Sequence, residues 1–210
     1  MSVLVVLFLT AVLALFSGVY NQGKFARYIG ILGLLVALCV SFSPELAFFN
    51  QYKSMFDFNE NAALFTKISL VVTLLIFFLG GFAFNNHRSH QSELYSLMLF
   101  SLIGAVILFS FTNLVTLFLG IEILSIPLYV MAGSNKTDLR SNEASIKYFL
   151  MGAFATGFLL FGIALIYGST GSFDVHVINT FSVANPKDLM FVMGIMLMLV
   201  AMAFKVSLAP

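Results

Sequence analysis

The apolar positions of this chain run in long blocks separated by short polar stretches, and seven such blocks can be read: Val3–Tyr20, Tyr28–Ser43, Leu64–Phe84, Tyr95–Thr112, Leu114–Gly133, Tyr148–Gly168 and Leu189–Pro210. A run of about 20 apolar residues is long enough to cross a bilayer as a helix. The pattern therefore predicts an all-α polytopic membrane protein with about seven transmembrane helices. The second block is the weakest, being short and stopped by Pro44. The fourth and fifth form one run too long for a single crossing, so a turn near Thr112-Asn113 must divide them. The longest polar stretch, Glu45–Asn61, mixes Phe and Tyr with charges, which suits the membrane interface. No linker or soluble module interrupts residues 1–210, which read as a single transmembrane domain. The last block ends at Ala209-Pro210 without a polar flank, so the expectation is the front part of a longer protein.

Composition supports the same class. Hydrophobic residues make up 60% of the 210 and charged residues 9%, against about 25% charged in soluble domains. A net charge of +1 without any Lys/Arg cluster argues against a nucleic-acid partner. The single cysteine, Cys39, sits inside an apolar run with no second cysteine to pair with, and reads as a buried, inert thiol. The first block lacks a basic n-region and an A-x-A-like cleavage site, so it reads as a retained helix rather than a signal peptide. His87, His90 and His176 lie in polar loops with no third ligand at metal-site spacing. There is no GxGxxG, P-loop, CxxC or haem signature, and no redox-cofactor motif is expected in this chain.

Against this background a few charges stand out. Glu122 is the one charge between Leu114 and Gly133, roughly 12 Å from one end of that block and 17 Å from the other. A carboxylate at the centre of a spanning helix costs about 2.5–3.5 kcal/mol even on gentle insertion scales. It is either a structural glutamate bonded to a neighbouring helix or a carboxylate on an ion or proton path. Pro127 withholds an N–H from the carbonyl of Ile123, and Ser125 adds a hydroxyl nearby. Glu143 and Lys147 are spaced i, i+4 with the acid first, the favourable order for a helical pair. They are either a helix start with a snorkelling lysine or a buried lysine whose charge depends on a movable partner. Lys205 lies deep in the last block, and the Ser207 and Pro210 that follow suggest a discontinuous helix of the kind that forms ion sites in transporters. The small-residue pair Ala153 and Gly157 suits close helix approach.

The stretch Gly120-Ile-Glu-Ile-Leu-Ser-Ile-Pro-Leu-Tyr-Val-Met-Ala-Gly133 resembles the antiporter-like membrane subunits of respiratory complex I, which share ancestry with Mrp-type cation/proton antiporters. Ser141-Asn-Glu-Ala-Ser-Ile-Lys-Tyr-Phe-Leu-Met-Gly-Ala-Phe-Ala-Thr-Gly157 and Tyr167-Gly-Ser-Thr-Gly-Ser172 look like the N-subunit branch of bacterial NADH:quinone oxidoreductase. Ala203-Phe-Lys-Val-Ser-Leu-Ala-Pro210 is similar to that branch at its broken seventh helix. The motifs cover Tyr95–Pro210, and the earlier part fits by hydrophobic pattern alone.

The resemblance implies a membrane subunit that couples NADH-to-quinone electron transfer to proton translocation. It implies that Glu122 couples neighbouring subunits electrostatically and that Lys147 pairs with it. Glu143 is the acid one turn before that lysine, and Lys205 takes up and releases the pumped proton. NADH, FMN, iron–sulfur clusters and quinone would then belong to partner subunits. The partners would be other membrane-arm subunits of complex I within the lipid bilayer of a bacterial inner (plasma) membrane. Two other readings stand beside it, a subunit of an Mrp-type sodium/proton antiporter and a purely structural role for the charges. Loop lysines and arginines favour an N-terminus outside, in the periplasm, since Lys24, Arg27, Arg88, Lys136 and Arg140 then fall inside against Lys53, Lys67 and Lys187 outside. Depth alone places Lys147 far from Glu122, so a direct salt bridge needs the sixth helix to begin ahead of its apolar run or water to bridge the two.

Overall fold

A computed structural model of the chain describes residues 1–19, 23–43, 55–83 and 91–208. Pro44, most of the expected interfacial stretch (44–54) and the loop with His87, Arg88 and His90 lie outside the described residues. The described residues form eight helices: α1 Ser2–Val19, α2 Gly23–Val40, α3 Glu60–Ala83, α4 Gln91–Ser110, α5 Leu114–Ala132, α6 Leu139–Thr170, α7 Val175–Ala184 and α8 Leu189–Lys205. Five of them, α1, α3, α4, α5 and α6, are long and apolar enough to cross a membrane, and α2 and α8 are shorter apolar helices. The chain is an all-α multi-pass membrane protein. Seven helices follow the seven blocks, and α7 is an addition.

The helix starts are set by side chains that satisfy otherwise unpaired N–H groups. Asn113, in an extended conformation, accepts from the Val115 N–H at 2.8 Å, which divides the long fourth–fifth run where expected. Asp138 accepts from Arg140 N–H at 3.0 Å and starts α6 nine residues ahead of the Tyr148 expected from hydropathy. The polar first turns of α6 are thus helical although they lie outside the apolar run. At its far end Gly171 takes the left-handed conformation, φ 70°, and donates to the Tyr167 carbonyl. Asp174 and Asp188 cap α7 and α8 in the same way. At ten residues, α7 is about 15 Å long and too short to cross. It lays Ile178 and Phe181 on the α5–α8 core.

Two apolar cores form along the chain. The first joins α1 to α4 through Leu7, Ala11, Leu34, Phe77, Leu99 and Val106. The second joins α5, α6 and α8 through Leu117, Ile121, Leu159, Ile163 and Phe191. They meet along α4 and α5, where Gly104 sits against the Leu124 backbone so closely that a Cβ would lie 2.3 Å from its nitrogen. The α6–α8 crossing is made by Gly162 and Gly194, each facing the other's carbonyl. Ala153 and Gly157 do not take that role: both are exposed, and a Cβ on Gly157 would meet nothing within 4 Å. They occupy the opposite face of α6 from Gly152, Ala155, Leu159 and Gly162, which are buried.

At one end of the helices three segments are tied together. The α4–α5 turn exchanges backbone hydrogen bonds with residues 55–57 (Asp57 N–H to Ser110 carbonyl, 2.7 Å) and with residues 173–175 (Leu114 N–H to Phe173 carbonyl, 2.9 Å; Val175 N–H to Thr112 carbonyl, 3.0 Å). The start of α5 is thereby fixed to its neighbours on both sides.

Candidate functional site

The site grows from one stripe on α5. Glu122, Ser125 and Tyr129 are spaced i, i+3, i+7, and residues so spaced share a helix face. Glu122 is half-buried and accepts a hydrogen bond from the Thr156 hydroxyl of α6 at 2.7 Å. A hydrogen bond to a charged group is worth about 1.5–3 kcal/mol, the same order as the cost of a central carboxylate. Ser125, 3% exposed, donates to the Ile121 carbonyl at 2.6 Å. Its oxygen accepts from the ammonium of Lys205 at 2.9 Å. Tyr129, 5% exposed, accepts from the same ammonium at 2.9 Å, and its ring centroid lies 5.5 Å from the nitrogen. Pro127 stands between the two acceptors, and α5 runs through it as one helix.

Lys205 reaches this stripe from the last turn of α8. The helix ends directly after it. Val206 and Ser207 turn the chain, with Ser207 at φ 60°, the one non-glycine residue with positive φ among those described. The Lys205 charge therefore also sits at a helix C-terminus, where the backbone carbonyls favour a cation. The turn falls where the seventh block is expected to be interrupted.

The two remaining charges lie elsewhere. Lys147 and Glu143 form an ion pair within α6, with side chains 69% and 63% exposed in the single chain. The helices α5 and α6 run antiparallel, as Glu122 meets Thr156 while the Tyr129 carbonyl accepts from Ser145 and the Ala132 carbonyl from Ser141. Lys147 lies nine residues before Thr156, about 13 Å along the helix axis. Side chains on a helix tilt towards its N-terminus, which carries the Lys147 ammonium towards Glu143 and away from Glu122. The direct Glu122–Lys147 pair implied by the resemblance is not formed. Starting α6 at Leu139 makes Lys147 helical but does not move it to the level of Glu122. The lysine brought to Glu122's stripe is Lys205.

Thr156, Tyr129 and Gly152 are parts of the site that sequence reasoning missed. The α5 members were available as an i, i+3, i+7 stripe from Glu122. Thr156 and Gly152 required the register between α5 and α6, which no local pattern encodes. His176 serves the start of α7, its N–H donating to Asp174, and no cluster of three His, Cys, Asp or Glu that could hold a metal occurs among the described residues.

Residues 112–210 match the family model described as NADH:quinone oxidoreductase/Mrp antiporter, transmembrane. The chain is similar to the NADH-quinone oxidoreductase subunit N of Cytophaga hutchinsonii, 44% identical over 184 residues, covering 87% of this chain and 38% of that protein. It is also similar to subunit N of Flavobacterium psychrophilum, 36% identical over 100% of this chain and 46% of that protein. The chain thus spans less than half the length of these curated relatives. Among solved structures, a chain of respiratory complex I from Thermus thermophilus superposes with a TM-score of 0.73 at 28% identity, over 99% of this chain and 44% of that one. A chain of the archaeal membrane-bound sulfane sulfur reductase shares the fold, with a TM-score of 0.74 at 21% identity.

Proposed function

From a chain that belongs to the antiporter-like membrane-subunit family of NADH:quinone oxidoreductases and Mrp antiporters, we propose a role as the N-type membrane subunit of a bacterial NADH:quinone oxidoreductase, moving protons through its buried charges. The observation that carries this reading is the Lys205 ammonium, which leaves the broken end of α8 to rest on Ser125 and Tyr129 of the helix that holds Glu122. Lys205 is the group that takes up and releases the proton. Glu122, half-buried on the same stripe and steadied by Thr156, supplies a nearby charge that makes the protonated lysine more or less favourable. Lys147 and Glu143 form a second charged station towards the start of α6. Opening that pair weakens the hold of Lys147 on its proton, which can then pass to Lys205 along a hydrated path. Each proton moved against the membrane potential requires about 2.3 kcal/mol per 100 mV, and the opening of an ion pair out of water is of that size.

The redox chemistry lies outside this chain. NADH, FMN, iron–sulfur clusters and quinone belong to partner subunits, and residues 1–210 act as one transmembrane unit beside other membrane-arm subunits. The membrane is the bacterial inner membrane, with the N-terminus on the periplasmic side. In that orientation the tied end of the bundle is periplasmic, and Lys136 and Arg140 lie on the inner side.

The test replaces Lys205 with Met, Glu122 with Gln and Lys147 with Met, one at a time, in the full-length subunit within the assembled complex. NADH-driven proton uptake by membrane vesicles falls at least about tenfold in Lys205→Met, with less complete losses in the other two. Undiminished pumping in all three would leave the charges a packing role. The family model names Mrp antiporters as well, so the second reading is a sodium/proton antiporter subunit. It is favoured if the same variants abolish sodium-dependent proton exchange in vesicles without NADH.

A further inference from the structure

Tyr129 is larger, more buried and more closely fitted than a filler residue needs to be. Its hydroxyl accepts from the Lys205 ammonium at 2.9 Å. Its ring packs edge-on against Tyr148, centroids 4.6 Å apart, and against Phe149 at 6.0 Å. The hydroxyl fills a notch in α6 that exists because residue 152 is glycine, since a Cβ there would lie 2.1 Å from the Tyr129 oxygen. Gly152 is itself buried, and the three atoms nearest to that notch all belong to Tyr129. The tyrosine is thus locked by three neighbours on α6 while it presents an acceptor to α8.

We propose that Tyr129 is the positioning residue for Lys205, and that Gly152 is a glycine so that the Tyr129 hydroxyl can reach the ammonium. This rests on the reading of Lys205 as the proton-carrying group. A hydroxyl oxygen that accepts from the ammonium favours its charged form, so Tyr129 and Ser125 together decide how firmly the lysine keeps its proton. The titratable groups on the elements around it are Glu122 and Tyr129 of α5, and Arg140, Glu143, Lys147 and Tyr148 in the first half of α6. Of these, Tyr129 alone bonds Lys205. Phenylalanine at 129 would keep the ring and its packing while removing the acceptor.

The experiment follows NADH-driven proton pumping against pH in the assembled complex carrying the full-length subunit. With Tyr129→Phe, which removes an acceptor from the ammonium, pumping fails at a lower pH than in the parent. Gly152→Ala, which keeps Tyr129 but displaces its hydroxyl, moves the profile in the same direction and carries the test if Tyr129→Phe does not assemble. Tyr148→Phe leaves the profile in place, since that tyrosine packs on Tyr129 without bonding the lysine. An unmoved profile in Tyr129→Phe, or in Gly152→Ala where that variant carries the test, overturns the proposal when Lys205→Met still abolishes pumping. Normal pumping by Lys205→Met overturns the underlying reading instead.

Discussion

A carboxylate in the middle of a spanning helix is defined by what donates to it. Glu122 receives a threonine hydroxyl from α6, an uncharged donor that can let go without leaving a second charge exposed to apolar surroundings. An arginine in that place would hold the carboxylate permanently. A threonine leaves it free to respond to charges that change elsewhere. Thr156→Val removes the donor and keeps the shape, and is expected to destabilise the full-length subunit by about 1.5–3 kcal/mol where the carboxylate is ionised. Thr156→Ser retains the bond and stays close to the parent. Thermal unfolding of the detergent-solubilised protein distinguishes the two. Equal stability of Val and Ser variants would mean that Thr156 does not stabilise the ionised carboxylate.

At the scale of helices, the long apolar blocks were enough to place seven of the eight, because in a bilayer a run of about 20 apolar residues has few alternatives to a spanning helix. The division at Asn113 was also readable, since an Asn between two apolar runs supplies an N-cap. The start of α6 was not, because hydropathy marks where a helix enters lipid and not where its backbone bonds begin. The same limit hid α7, whose ten residues are too few to register as a span. Spacing likewise misdirected the search for close contacts, since Ala153 and Gly157 have the right separation but lie on the face of α6 away from α8. Only the packing distinguishes them from Gly152 and Gly162. Gly162→Val, whose Cβ would come within 2.8 Å of the Gly194 carbonyl, is expected to lower stability by about 1–3 kcal/mol. Gly157→Ala, facing open space, is expected to change it little or to raise it by up to about 1 kcal/mol through helix propensity. Parallel melts of the two variants test this assignment of faces.

For the molecule as a whole, one face of α6 is left without a neighbour among the described residues. Lys147, Leu150, Phe154 and Phe161 follow one another at helical spacing, and the last three are 60%, 70% and 57% exposed. An ion pair at the end of an apolar stripe suits contact with further protein, where a covered charge pair interacts more strongly than an exposed one. Lys147→Cys, made in a Cys39→Ser background because Cys39 is exposed and not buried as its apolar run suggested, is expected to react with a water-soluble maleimide in the isolated full-length subunit. In the assembled complex the reaction slows about tenfold or more. Equal rates in both would mean that the pair faces water throughout. The backbone ties at the start of α5 carry a different consequence. With that end of the helix clamped to residues 55–57 and 173–175, α5 behaves as a rod held in a vice at one end. Its compliance is concentrated at Pro127, where a backbone bond is missing. Ser125 lies on the clamped side of that joint and Tyr129 on the side bonded to the first half of α6 through Ser145 and Ser141, so the two oxygens that accept from the Lys205 ammonium are anchored to different neighbours. A bend at Pro127 would carry Tyr129 along with the first half of α6 and so alter the lysine's coordination from a distance.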